Sequence, residues 1–134
     1  MKRISERTLA MRIVLGLILI IHSIAHLVGF VVPWKLAVTD EAPYKTTLID
    51  GALDVGDSGI RFVGLLWLIG ALVFTAVATG VLGMYNGWQK PLVYATVYSL
   101  ILCILGLPDS RMGIPVNMTI LAWLLAGQRQ DWWG

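Results

Sequence analysis

Charge, cysteine and histidine are all scarce in this chain. Only 13% of its 134 residues are charged, and the net charge is +2. That leaves no basic tract suited to nucleic acid and no acidic tail. The single cysteine, Cys103, excludes an internal disulfide and offers no zinc-finger or dithiol motif. Inside an apolar run its default role is that of a small core side chain. There are no internal repeats and no low-complexity tract, so the length fits one domain, residues 1–134. The remainder is apolar: 57% of the residues are hydrophobic and the mean hydropathy is +0.78. A soluble domain of this size has no use for so much apolar surface. The composition predicts an integral membrane protein.

Four apolar segments stand out, at about 9–32, 60–84, 91–107 and 112–127. A spanning helix needs roughly 20 residues, so the first two qualify on length and the shorter third and fourth would tilt little or thin the bilayer. Thr119-Ile-Leu-Ala-Trp-Leu-Leu-Ala126 favours a span for the fourth over an interfacial helix. The first segment is too long for a signal peptide and no small-residue cleavage site follows it, so it reads as a retained helix. The expected fold is all-α: an integral membrane four-helix bundle joined by short connections except for one long loop, 33–59.

Lys2, Arg3, Arg7 and Arg12 gather before or at the start of the first span, which predicts a cytoplasmic N-terminus. Four spans then return the C-terminus, with Arg129, to the same side, and localise the protein to the cell's inner membrane as a multi-pass protein. The loop 33–59 becomes external. Within it Asp40, Glu41, Asp50, Asp54 and Asp57 outnumber Lys35 and Lys45. Trp34, Tyr85, Trp88, Trp132 and Trp133 fall at the expected interfaces, as aromatic belts do. Asp50-Gly51 between β-prone flanks signals a short hairpin capping the outer mouth of the bundle. Asp54 and Asp57 stand where they could pair with Arg61, although a solvated loop is the commoner outcome for such charges.

Lipid gives helices no hydrophobic reason to associate, so small residues must let them approach. The second segment offers Ala71, Thr75, Thr79 and Gly83 at intervals of four, and the third offers Thr96, Ser99 and Cys103 with Gly106 a turn later. These stripes read as packing surfaces. Helical rise, about 1.5 Å per residue, also sorts residues by depth. Counted inward from the outer ends, His26, Trp67, Cys103 and Asn117 share one layer, with His22 and Tyr98 below. Polar groups from four helices thus meet in the outer half, which predicts a pocket opening beneath the acidic loop.

His22 and His26 are the only histidines. Four residues apart on a helix, they share a face, and ionisable side chains inside a membrane segment are functional-site candidates. An i, i+4 pair is able to chelate one metal ion, but no intramembrane carboxylate joins it, leaving only Cys103, Tyr98 or water as further ligands. A haem iron cannot be sandwiched by two histidines of one helix, although single-histidine ligation of a haem or chlorin remains open. A quinone or quinol suits the residues better, because imidazole beside Tyr, Trp and Asn can hydrogen-bond ring oxygens and move protons. The bland alternative is that the histidines only bond neighbouring helices. The candidate ligand-binding residues are His22, His26, Trp67, Tyr98, Cys103 and Asn117, with His22 and His26 as the candidate metal ligands. The missing intramembrane acid argues against coupled transport.

Arg12-Ile-Val-Leu-Gly16 followed by His22-Ser-Ile-Ala-His26-Leu-Val-Gly29-Phe30 resembles the first helix of the DoxX-like family of small four-helix bacterial membrane proteins. There an Arg and a Gly precede a His, and a basic residue four positions later is followed by Leu and Gly-Phe. Ser23 stands where the family usually has Gly, His26 where it often has Lys, and the long loop is an addition. The resemblance implies a role as an accessory subunit beside thiosulfate:quinone oxidoreductase or a quinol oxidase, with His22 and His26 as the positions carried over. Lipid and other membrane subunits, or further copies of the chain, are the expected partners; nucleic acid is not. A small membrane enzyme or metal protein centred on the histidines, and a purely structural helix-packing subunit, are the rival expectations.

Overall fold

The computed structural model describes residues 4–37 and 40–133. Lys2 and Arg3, part of the basic N-terminal group, lie outside the described residues. Four helices are found: α1 (Glu6–Val31), α2 (Gly56–Leu82), α3 (Gln89–Leu105) and α4 (Gly113–Arg129), with two short strands, β1 (Thr47–Leu48) and β2 (Leu53–Asp54), in the long connection. Each helix overlaps its predicted segment. Two of them, α1 and α2, are long and apolar enough to cross a membrane. The other two are 17 residues each.

Helix α1 starts where Ser5 accepts the Thr8 N–H at 3.1 Å, filling one of the donors a helix start leaves open. It packs antiparallel against α2: Ser23 Oγ donates to the Ala71 carbonyl at 2.7 Å and lies 2.8 Å from Thr75 Oγ1. Gly29 receives the Trp67 ring, and Gly70 receives His26, whose Cδ2 would stand 2.7 Å from a Cβ added there. Only glycine leaves those two notches open. The small-residue stripe of α2 is therefore half right. Ala71 packs and Thr75 meets Ser23 through its hydroxyl, whereas Thr79 is exposed and bonds only back to the Thr75 carbonyl. The α3 stripe holds, with Thr96, Ser99 and Cys103 all buried.

Helix α2 packs on α3 and α3 on α4, whereas α1 and α4 are not a closely packed pair. One apolar cluster, including Leu15, Leu19, Phe74, Leu92, Ile120 and Leu124, fills the end of the bundle near the chain termini. A second, with Leu48, Ile60, Val63, Trp67 and Leu102, fills the hairpin end. Outside, every helix shows large apolar side chains: Leu17, Ile21 and Ile24 on α1, Phe62 and Leu72 on α2, Tyr94 and Ile101 on α3, Met118 and Leu125 on α4. Polar Arg12, His22, Ser23, His26, Thr96, Ser99 and Asn117 are buried.

The hairpin forms as the Asp50-Gly51 signal predicts, pairing Thr47 with Asp54 and Leu48 with Leu53. Its turn bends through Ile49, Asp50 and Gly51, all with positive φ (51°, 52° and 85°), a conformation that costs β-branched Ile49 most. The Ile49 and Asp50 N–H groups donate to the Leu105 and Leu107 carbonyls at 2.9 and 3.0 Å. The hairpin thereby satisfies acceptors that the end of α3 leaves free.

At the other end two expectations are corrected. Arg12 is not a loop charge: it is 5% exposed, and its guanidinium donates to the carbonyls of Tyr85 and Trp133, both at 3.2 Å, and lies over the Trp88 ring. Trp88 and Trp133 are accordingly buried among the core side chains, their rings in edge contact at 5.2 Å, and do not form a belt. Trp34 and Tyr85 are exposed as expected. The buried cation draws the aromatic faces and the chain's end inward around itself.

Candidate functional site

The two histidines touch. Their ring centroids are 4.7 Å apart in an edge arrangement, and both pack on Phe74, at 4.8 and 5.2 Å. Trp67 leans on His26 at 5.0 Å. The helical spacing places them on one face, but their polar atoms have different work. His26 Nδ1 donates to the His22 carbonyl at 2.9 Å, and its Nε2 is buried without a partner. His22 Nε2 lies 3.2 Å from Asn117 Oδ1 and 3.3 Å from Ser99 Oγ. Asn117 in turn donates from Nδ2 to the Gly113 carbonyl and to Ser99 Oγ, both at 2.8 Å, with Cys103 Sγ 3.7 Å away. This knot joins α1, α3 and α4 at one height and is wholly buried.

Above the knot, towards the hairpin, α1 and α4 leave a cavity of about 400 Å³, within the range of small-molecule sites. Ala25, Val28 and Gly29 of α1, with Val32 just after it, form one wall, and Met112, Gly113 and Val116 at the start of α4 form the other. His22, His26, Trp67 and Cys103 line its inner end, Thr47 and Leu48 of the hairpin its roof, and Glu41, Lys45, Asp109 and Ser110 its rim. Lys45 Nζ meets Asp109 Oδ2 at 2.6 Å, tying the loop to the α3–α4 turn. Half exposed, such a pair orients more than it stabilises.

Four of the six expected site residues, His22, His26, Trp67 and Cys103, line this cavity. Two do not. Tyr98 turns its hydroxyl to the Leu66 carbonyl at 2.7 Å, bonding α3 to α2, because depth along a helix says nothing of the direction a side chain takes around it. Asn117 sits behind the wall, at the height of His22 and not a layer above it. Ser99, expected only as a packing residue, is its partner. Lys45 and Asp109 were not expected at all: residues so far apart in sequence leave no signal of their contact.

The charges at the start of α2 take the solvated outcome, with Asp54 and Asp57 both exposed. Neither Asp54 nor Asp57 forms an ion pair with Arg61 among the described residues. Asp57 instead accepts the Tyr44 hydroxyl, which pushes Tyr44 above its ordinary value. Asp54 accepts the Gly56 N–H at 3.0 Å and is bonded by the Thr46 side chain, which holds its carboxyl below the usual range.

Among the described residues no three His, Cys, Asp or Glu side chains are grouped to hold a metal ion. The ring nitrogens left for coordination are one per histidine, since the other of each is spent on the His22 carbonyl or on the Asn117 knot. The geometry instead fits an apolar body that fills the cavity. Comparison with family models, curated proteins and solved structures finds no match for this chain.

Proposed function

We propose that this chain is a four-helix protein of a bacterial inner membrane, with both termini on the cytoplasmic side. Its cavity, in the outer leaflet, binds a lipid-soluble small molecule such as a quinone, a lipid or a pigment. The protein serves as an accessory subunit of a redox or energy-converting membrane complex. The observation that carries this reading is the cavity of about 400 Å³ between α1 and α4, apolar in its walls and ending on two imidazoles.

Three further features support it. Large apolar side chains such as Ile21, Phe62, Leu72 and Leu125 face outward while Arg12, His22, His26 and Asn117 are buried, as hydrocarbon surroundings favour. The cavity's walls are largely apolar side chains from α1 and the start of α4, which suit a membrane-dissolved molecule. The resemblance of the first helix to the DoxX-like family points to respiratory or redox complexes.

The experiment is purification of the tagged chain from its native membrane in mild detergent, followed by identification of the small molecules and large subunits it carries. A lipophilic molecule in stoichiometric amount, together with redox subunits, is the expected result. A chain that purifies alone and is active by itself would replace the accessory role with that of a small membrane enzyme.

A further inference from the structure

The charged side chains that line the cavity all lie at its rim. Glu41, Lys45 and Asp109 stand there, and the walls between the rim and the imidazoles carry none. At the inner end three of the four imidazole nitrogens are turned into the bundle. His26 Nδ1 meets the His22 carbonyl, His22 Nε2 meets Asn117, and His26 Nε2 is buried beside Gly70. Charged at one end and apolar along its walls, the cavity has the polarity of an amphiphile standing in one leaflet. Its depth agrees. From His22 to Val32 the chain rises about 15 Å, which matches the hydrocarbon of a single leaflet, half of roughly 30 Å.

The charges of the rim do not cancel. Lys45 Nζ and Asp109 Oδ2 meet at 2.6 Å and neutralise each other. Glu41 is exposed and has no ion-pair partner among the described residues. Lys35, Arg61 and Arg111 do not line the cavity, and Lys35 lies over the Tyr44 ring at 4.4 Å. One uncompensated carboxylate is left at the height of a lipid headgroup, where it attracts a cation and repels an anion.

We infer that the cavity takes an acyl chain of a phospholipid whose headgroup carries an ammonium, with that ammonium at Glu41, and that lipids of net negative charge are disfavoured. The inference rests on the cavity being a binding site for a lipid-soluble molecule, and it narrows that class to a zwitterionic lipid.

The test places the full chain in nanodiscs of equal parts phosphatidylethanolamine and phosphatidylglycerol with the same acyl chains, and reads the lipid retained on the ejected chain by native mass spectrometry. Both lipids carry the phosphate, so the ammonium alone is compared. Lipid lost in Val116→Trp, whose indole fills the cavity, is counted as cavity-bound. The wild-type chain retains phosphatidylethanolamine about three- to fivefold over phosphatidylglycerol, the range of an exposed ion pair. Glu41→Gln brings that ratio near one and Glu41→Lys inverts it. Glu41 is exposed in the loop, so both variants keep the fold. Equal retention by the wild type, or a preference that both Glu41 variants keep, overturns the inference and leaves the cavity as a lipid site. No lipid beyond that on Val116→Trp also overturns it, while the reading beneath it stands or falls on the molecules carried out of the native membrane.

Discussion

Asn117 spends its whole amide inside the bundle, on His22, Ser99 and the Gly113 carbonyl. Asn117→Leu leaves His22 Nε2 and Ser99 without those partners, and is expected to cost about 1–2 kcal/mol. Unfolding of the detergent-solubilised chain measures this. A double-mutant cycle with His22→Ala is expected to return a clear coupling, and a coupling near zero would contradict the knot. Gly70→Ala forces a Cβ to within 2.7 Å of His26 Cδ2, and overpacking of this kind costs about 1–3 kcal/mol. Its signature is a displaced His26 ring. At this scale the sequence showed the histidine pair plainly, because two imidazoles in an apolar run have no easy alternative. Tyr98 and Asn117 were misjudged because counting along a helix yields height without azimuth. Only the tertiary contacts turn one towards Leu66 and the other behind the cavity wall.

Among the elements, the hairpin and the C-terminal tail do the most to shape the bundle's ends. Asp54 has a folded pKa below its unfolded one, from the Gly56 N–H and then the Thr46 side chain. Its contribution is therefore present above the unfolded value and lost as pH falls through the folded one. The protection of the Gly56 amide against hydrogen exchange should fall in that acid range, and Asp54→Ala should remove the pH dependence. The tail depends on Arg12, which holds the Trp133 carbonyl at 3.2 Å while Trp133 Nε1 donates to the Leu124 carbonyl at 3.3 Å. Arg12→Leu should release Trp132 and Trp133, seen as a red shift of tryptophan emission and as cleavage near Arg129 by added protease. Helices and hairpin were legible from apolar runs and from Asp50-Gly51, signals carried by neighbours in the chain. The buried setting of Arg12 was not, since its partners Tyr85 and Trp133 lie in distant segments. A basic residue near a helix start looks the same whether it faces water or carbonyls.

The molecule as a whole buries several polar groups among its apolar core, keeps many large apolar side chains on its surface, and joins α1 to α4 through the His22–Asn117 hydrogen bond. Its composition already pointed to lipid as the solvent, and the number of helices followed from the apolar runs. The predicted layer of residues marks the cavity's inner end but not its walls, because which helices line a cavity together is a property of packing that no single segment encodes. Val116 lines the cavity and is 37% exposed, so Val116→Trp fills the space without disturbing the core. Native mass spectra of the wild-type and Val116→Trp chains, ejected from nanodiscs made with native membrane lipid, measure what the cavity holds. One lipophilic molecule per wild-type chain, absent from Val116→Trp, is the expected result. A bare chain mass in both, or the same adduct in both, would contradict the assignment of this cavity as a ligand site.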